Sequence, residues 1–169
     1  MRPTELCSPR LRLRQWQAAD RTPFAALNAD PAVMAHFPAP LTPVQSDALA
    51  ERLQGLIAQH GWGFWALELR ADGRFIGFAG LNPAPAGLPF APAVEIGWRL
   101  ARAHWGQGLA SEAARQAVSF AFDALDLPEI VAFTALPNQR SRAVMARLGM
   151  RESGQFEHPA LPHGHALRR

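Results

Sequence analysis

Gly106 and Gly108 flank Gln107 just before Leu109-Ala110-Ser111-Glu112, where a helical pattern begins. Two glycines followed by the small Ala110 bring bare backbone to a helix N-terminus. Unpaired N–H groups and the positive end of the helix dipole make such a place a seat for phosphate. The glycine spacing taken alone is a weak sign, because many turns before helices carry it. Arg10, Arg12 and Arg14 alternate with Leu11 and Leu13. Three arginines in this pattern can grip phosphate, although the wet face of a strand is the simpler reading. His158, His163 and His165 crowd the C-terminal end, with no cysteine or acid at a spacing that would complete a metal site. Cys7 has no histidine–acid pair near it in sequence, which argues against a covalent nucleophile.

The elements that position these residues are read from period and punctuation. Leu11 and Leu13 alternate with arginine and predict a strand. Asp20 is expected to cap a helix through Phe24 and Leu27, and Asp30-Pro31 to start another through Val33, Met34 and Phe37. Thr42-Pro43-Val44-Gln45 is a capping box ahead of Leu49, Leu53, Leu56 and Ile57, which share one helix face; Gly61 ends that helix. Residues 62–69 and 75–81 predict a hairpin about Ala71-Asp72-Gly73, followed by a proline-rich loop over 83–92. Strand character returns over Val94-Glu95-Ile96-Gly97-Trp98-Arg99-Leu100. A helix is expected from Gln107 to about Ala124, with Leu109, Ala113, Ala117 and Phe120 in a stripe suited to packing on a sheet. Pro128 ends it, and Ile130-Val131-Ala132-Phe133 predicts a buried strand. Asn138 caps a last helix carrying Val144, Met145 and Leu148 and ended by Gly149; residues 150–156 predict a further strand.

A length of 169 residues suits one domain over 1–169 that needs no disulfide or metal to fold. Hydrophobic content of 49% against 18% charged residues excludes a disordered tail. No apolar run reaches the ~18 residues of a membrane span, no secretory leader is evident, and the lone Cys7 fits a reducing cytoplasm. All 17 basic residues are arginine, yet the net charge is only +3, which by itself does not argue for nucleic acid as the main partner.

The stretch VEIGWRLARAHWGQGLASEAA, followed by a buried strand and then NQRSRAVMARLGM, resembles the GNAT superfamily of acyl-CoA-dependent N-acetyltransferases. It is most similar to the branch that acetylates ribosomal-protein N-termini, and the likeness runs from LRLRQW to FEHPALP. The resemblance implies an α/β (α+β mixed) GNAT fold. A mostly antiparallel central sheet would carry a β–α–β acetyl-CoA-binding unit, with a V-shaped splay between two central parallel strands at Val94–Leu100 and 130–135. It implies no metal. The implied activity is transfer of an acetyl group from acetyl-CoA to a primary amine, a protein or peptide N-terminus or a small molecule, by a monomer or homodimer. A coenzyme A-binding sensor without turnover, or an RNA-binding module built on Arg10, Arg12 and Arg14, are the competing readings.

By the same resemblance the diphosphate turn spans residues 105–110, so that Trp105, Gly106, Gln107, Gly108, Leu109 and Ala110 would bind coenzyme A, with His104 just before them. Trp105 stands where most relatives have Gln or Arg. Main-chain groups of Ile96, Trp98 and Leu100 would pair with the pantetheine amides as an added strand does. Asn138 and Ser141 would face the thioester from the other side. Glu95 is placed where relatives keep a catalytic carboxylate, and the oxyanion would take an N–H of Ile96 or Gly97. Many relatives protonate the thiolate with a tyrosine on the last helix; this chain has no tyrosine, Met145 holds the place, and Ser141 one turn earlier is the remaining catalytic acid. The acceptor pocket would draw on Phe37, Trp62, Phe64, Trp65, Asn82 and His158. Relatives carry one more strand after a segment like FEHPALPHGHALRR, so a missing C-terminal strand and an exposed edge at 150–156 are expected.

Overall fold

The computed structural model describes residues 3–84, 87–90 and 92–154. Five strands form one antiparallel sheet in the order β1 (Leu6–Cys7), β2 (Leu11–Arg14), β3 (Phe64–Leu69), β4 (Phe75–Pro83) and β5 (Val94–Leu100). Between β2 and β3 the chain makes α1 (Arg21–Ala29) and α2 (Pro43–His60); after β5 come α3 (Leu109–Ser119) and α4 (Gln139–Arg147).

Side-chain alternation divides the sheet into two faces. Phe64 on β3 stacks on Phe78 of β4 with ring centroids 5.1 Å apart, and Phe78 also meets Phe24 of α1. Trp65, one residue on, points the other way, edge-on to Phe120 just after α3 at 5.4 Å. Helices α1 and α2 therefore cover one face and α3 the other. The α3 stripe of Leu109, Ala113 and Ala117 is buried as its small residues suggest, because short side chains let a helix lie close to a sheet. Burial on α2 follows Ser46, Ala50, Leu53 and Ile57. Its capping box closes as expected: Gln45 N–H donates to Thr42 Oγ1 at 3.2 Å and Thr42 N–H to Gln45 Oε1 at 2.9 Å.

Four expectations are corrected. Asp20 precedes α1 without capping it; its carboxylate is taken by Arg14 Nη1 and Nη2 at 2.8 and 2.9 Å and by Gln17 N–H at 2.8 Å. The segment after Asp30 is a series of turns rather than a helix. Asp30 Oδ1 accepts from Ala32 N–H at 2.9 Å, and Pro38 and Pro40 prevent extension. The strand expected over 130–135 is reduced to one parallel bridge, Glu95 to Val131. The further strand expected over 150–156 is absent from its described part, residues 150–154. The helix after Gln107 runs as α from Leu109 to Ser119 and finishes in a π turn over Phe120–Ala124.

Candidate active site

The site is organised by the outer edge of β5. Main-chain groups alternate along a strand. Ala101 N–H turns back to Ile76 O at 2.9 Å, whereas Ile96 N–H points outward to Val131 O at 2.8 Å. Val131 N–H in turn donates to Val94 O at 3.0 Å. Residues 94, 96, 98 and 100 thus present their main chains to the outer side. Among the described residues nothing pairs with that edge through a ladder beyond the single bridge, and a gap opens between β5 and the segment leading to α4. Ile96 N–H is spent on Val131, and Gly97, one residue on, turns its N–H toward β4. Neither is available as the oxyanion donor expected from the sequence; the first outward N–H past the bridge is that of Trp98. Leu100 O is also occupied, by Trp105 Nε1 at 3.0 Å.

Past β5 the chain makes a turn of 3-10 helix over Arg102–His104 and reaches the glycine pair. Gly106 and Gly108 both hold φ at 76°, and a left-handed Gly108 is the N-cap of α3. An L side chain is strained there, which accounts for the glycines better than crowding does. Arg10 clamps this turn to the start of β2. Its Nη1 donates to Gln107 O at 2.8 Å, and its Nε pairs with Glu112 Oε1 in the first turn of α3 at 2.7 Å. Burial works against the Glu112 charge, but hydrogen bonds from Ser8 and Arg10 outweigh it and hold the carboxyl below its usual range. Burial and the nearby Arg74 lower His104. The Trp105 ring lies under the guanidinium of Arg140, 4.2 Å from centroid to Cζ.

Across the gap, Asn138 Oδ1 caps α4 by accepting from Ser141 N–H at 3.3 Å. Trp98 Nε1 donates to Ser141 Oγ at 3.3 Å, so β5 and α4 touch through this pair. On the opposite face of β5, Glu95 lies beside Asn82, its cross-strand partner, whose Nδ2 donates to Glu95 Oε1 at 3.4 Å. Burial pushes the Glu95 carboxyl up to about 7, and the Asn82 hydrogen bond offsets only part of that. Phe64 lies over Gly97, where a Cβ would come within 3.0 Å of the ring. Arg99 completes this face, with its Cζ 4.5 Å from the Phe37 ring and 5.1 Å from that of Phe78.

Of the acceptor residues expected from sequence, Asn82, Phe37 and Phe64 share the Glu95 face. Trp65 does not: it is fully buried under the α3 face with its Nε1 donating to Thr4 O at 2.8 Å. Trp62 packs against the core beside His60. His158, with His163 and His165, lies outside the described residues, among which no cluster suited to a metal occurs. Cys7 is exposed on β1, at the far edge of the sheet from β5. Arg10, Arg12 and Arg14 do not form a phosphate grip, since each faces a carboxylate: Glu112, Glu5 and Asp20 respectively. Sequence reasoning missed Arg99, although its spacing of four from Glu95 on one strand places both on the same face.

An edge strand with outward amides, a left-handed glycine turn at its end and a helix N-terminus behind it suit a coenzyme A-dependent acyltransferase. Residues 10–151 match the family model described as the acetyltransferase (GNAT) domain, and the chain belongs to that family. It is an acetyl-CoA-dependent N-acetyltransferase with the GNAT fold. The uncharacterized protein YkkB of Bacillus subtilis is 30% identical over 151 residues, 89% of this chain and 87% of its own. The solved acetyltransferase from Agrobacterium tumefaciens is 27% identical, with a TM-score of 0.77 over 99% of this chain and 92% of that one. RimL, a ribosomal-protein alpha-N-acetyltransferase solved in complex with coenzyme A, is 18% identical with a TM-score of 0.74, covering 95% and 92%; that likeness is one of fold. Among the described residues no helix is long and apolar enough to cross a membrane.

Proposed function

We propose that Glu95 is the general base for attack of a primary amine on acetyl-CoA, the acceptor being a peptide or protein N-terminus or a small amine. The observation that carries this reading is a largely buried carboxyl, raised to about 7, beside an opened strand edge. An α-amino group with pKa near 8 is roughly 10% neutral at pH 7, so it asks little of the base, whereas a lysine amine is under ~0.1% neutral. The amine nitrogen attacks the acetyl carbon and Glu95 takes its proton, directly or through water. The oxyanion accepts from Trp98 N–H, the outward donor beyond the bridge. As the C–S bond breaks, Ser141 Oγ–H gives its proton to the thiolate and takes one back from solvent, to which Glu95 releases the amine proton; Oγ already accepts from Trp98 Nε1.

For coenzyme A itself, the Gly106–Gly108 amides and the α3 N-terminus suit the diphosphate, with His104, Trp105, Gln107, Leu109 and Ala110 around it. Trp98 and the remaining outward groups of Ile96 and Leu100 suit the pantetheine arm, and Asn138 and Ser141 its thioester end. Phe37, Trp62, Asn82 and His158 remain the acceptor residues of this proposal. The resemblance to the ribosomal branch and the fold shared with RimL make a ribosomal-protein N-terminus the leading macromolecular acceptor. A single domain over 1–169 and a cytoplasmic setting go with this reading.

The test is calorimetry with acetyl-CoA and desulfo-CoA, together with thiol release against a panel of peptides and small amines. Micromolar binding with release on one acceptor class is expected. Binding without release on any amine would favour a coenzyme A sensor, a reading that the Met145 in place of tyrosine keeps in view. Ser141→Ala with unchanged turnover across pH would remove Ser141 as the acid.

A further inference from the structure

Arg99 differs from the other inward-facing arginines of the sheet. Arg14 is the more fully enclosed and meets two carboxylates, Asp20 and Glu68, at 2.8 Å each. Arg99 meets none. Its Nη1 donates to Asn28 Oδ1 at 2.8 Å, a neutral acceptor, and its Nε is buried with no hydrogen-bond partner. Its charge is flanked by the rings of Phe37 and Phe78. A desolvated guanidinium without a counter-ion is costly, and a ring face compensates only a fraction of what a carboxylate supplies. The setting is open on one side, since Phe37 is 44% exposed. Its neighbour His36 borders a cavity of about 360 Å³ that residues 137–140 close from the α4 side. Arg99 and Glu95 occupy the same face of β5, which is also the acceptor face.

We propose that Arg99 receives a carboxylate of the acceptor, so that the amine acetylated here belongs to a molecule that also carries an acidic group. The inference rests on the transferase reading of the cleft and narrows its substrate class. Four residues of strand separate the Cα atoms of Glu95 and Arg99 by about 13 Å. Amine and carboxylate therefore lie several bonds apart, as at the two ends of a dipeptide, rather than on one carbon. A fixed cation at this position also disfavours polycationic acceptors.

Thiol release is compared for alanyl-alanine and its C-terminal amide, which differ in that charge. The dipeptide should show kcat/KM at least 10-fold above the amide, carried by KM. Arg99→Gln should bring the dipeptide down to the amide's level, and Arg99→Lys should retain part of the preference. A readout independent of turnover is the Arg99 Nε–H resonance of the coenzyme A-loaded protein, titrated with glutarate and with neutral glutaramide. Glutarate alone should shift it. A shift without turnover on any amine would keep the anion site and overturn the transferase reading. Equal turnover on both dipeptides with no shift would overturn the anion site and leave the transferase reading standing. If Arg99→Gln does not fold, the wild-type comparison and the resonance still decide.

Discussion

Glu95, the proposed base, carries a cost to the fold, and both the role and the cost are readable through pH. Its folded carboxyl titrates near 7, so below that pH it holds the proton and cannot act as a base. The expected kcat/KM profile rises through an inflection near 7, separate from the acceptor's own ionisation. Glu95→Gln should remove that inflection and about 100-fold of the rate. The linkage has the reverse sign from a paired carboxylate. Between the ordinary carboxylate range and about 7, the folded chain binds more protons than the unfolded chain, so stability falls as pH rises through this window. Glu95→Gln should therefore stabilise the protein by about 2 kcal/mol at pH 8, with partial exposure allowed for, and by little at pH 5. Urea denaturation at the two pH values measures this; an equal effect at both would remove the raised carboxyl from the account.

At the scale of elements, the buried Arg14 ties three segments together. It belongs to β2, takes both oxygens of Asp20 just before α1, and reaches Glu68 on β3. Helix α1 in turn brings Asn28 to Arg99. Arg14→Met would leave the Asp20 carboxylate enclosed and unpaired, a loss of about 3 kcal/mol. Adding Asp20→Leu should recover part of it, because two apolar groups avoid the orphaned charge. Urea midpoints of the single and double variants test the pair. On the other face, Arg10 does for the glycine turn what Arg14 does for α1, holding Gln107 O and Glu112 together.

For the whole molecule, the gap between β5 and α4 is spanned by the Trp98–Ser141 hydrogen bond and bordered by one β-bridge. A ligand that pairs with β5 and reaches α4 bridges the two halves and should stabilise the fold. At a concentration of 100 Kd, desulfo-CoA should add about 2.7 kcal/mol. For a chain of this size that corresponds to a Tm rise of roughly 5–10 °C. A melt unmoved by desulfo-CoA would mean that the folded chain does not bind the cofactor.

Much of this architecture was legible in residue order, because it rests on local physics. The Thr42–Gln45 capping box, the left-handed stop at Gly61, the span Val94–Leu100 and the glycine turn before α3 all follow from backbone preferences of neighbouring residues. Motif resemblance supplied the family and, through it, a role for Glu95. What needed the tertiary structure was pairing at long range. Apolar character over 130–135 predicted a strand, but a strand exists through its pairing, and among the described residues only Val131 of this segment makes a β-bridge. Asp20 looked like a cap until Arg14 competed for its carboxylate, and Trp65 looked like an acceptor residue until sheet alternation turned it under α3. Strand period could have put Arg99 on the Glu95 face, but its want of a counter-ion among the described residues is a property of everything packed around it, and only the folded chain decides that.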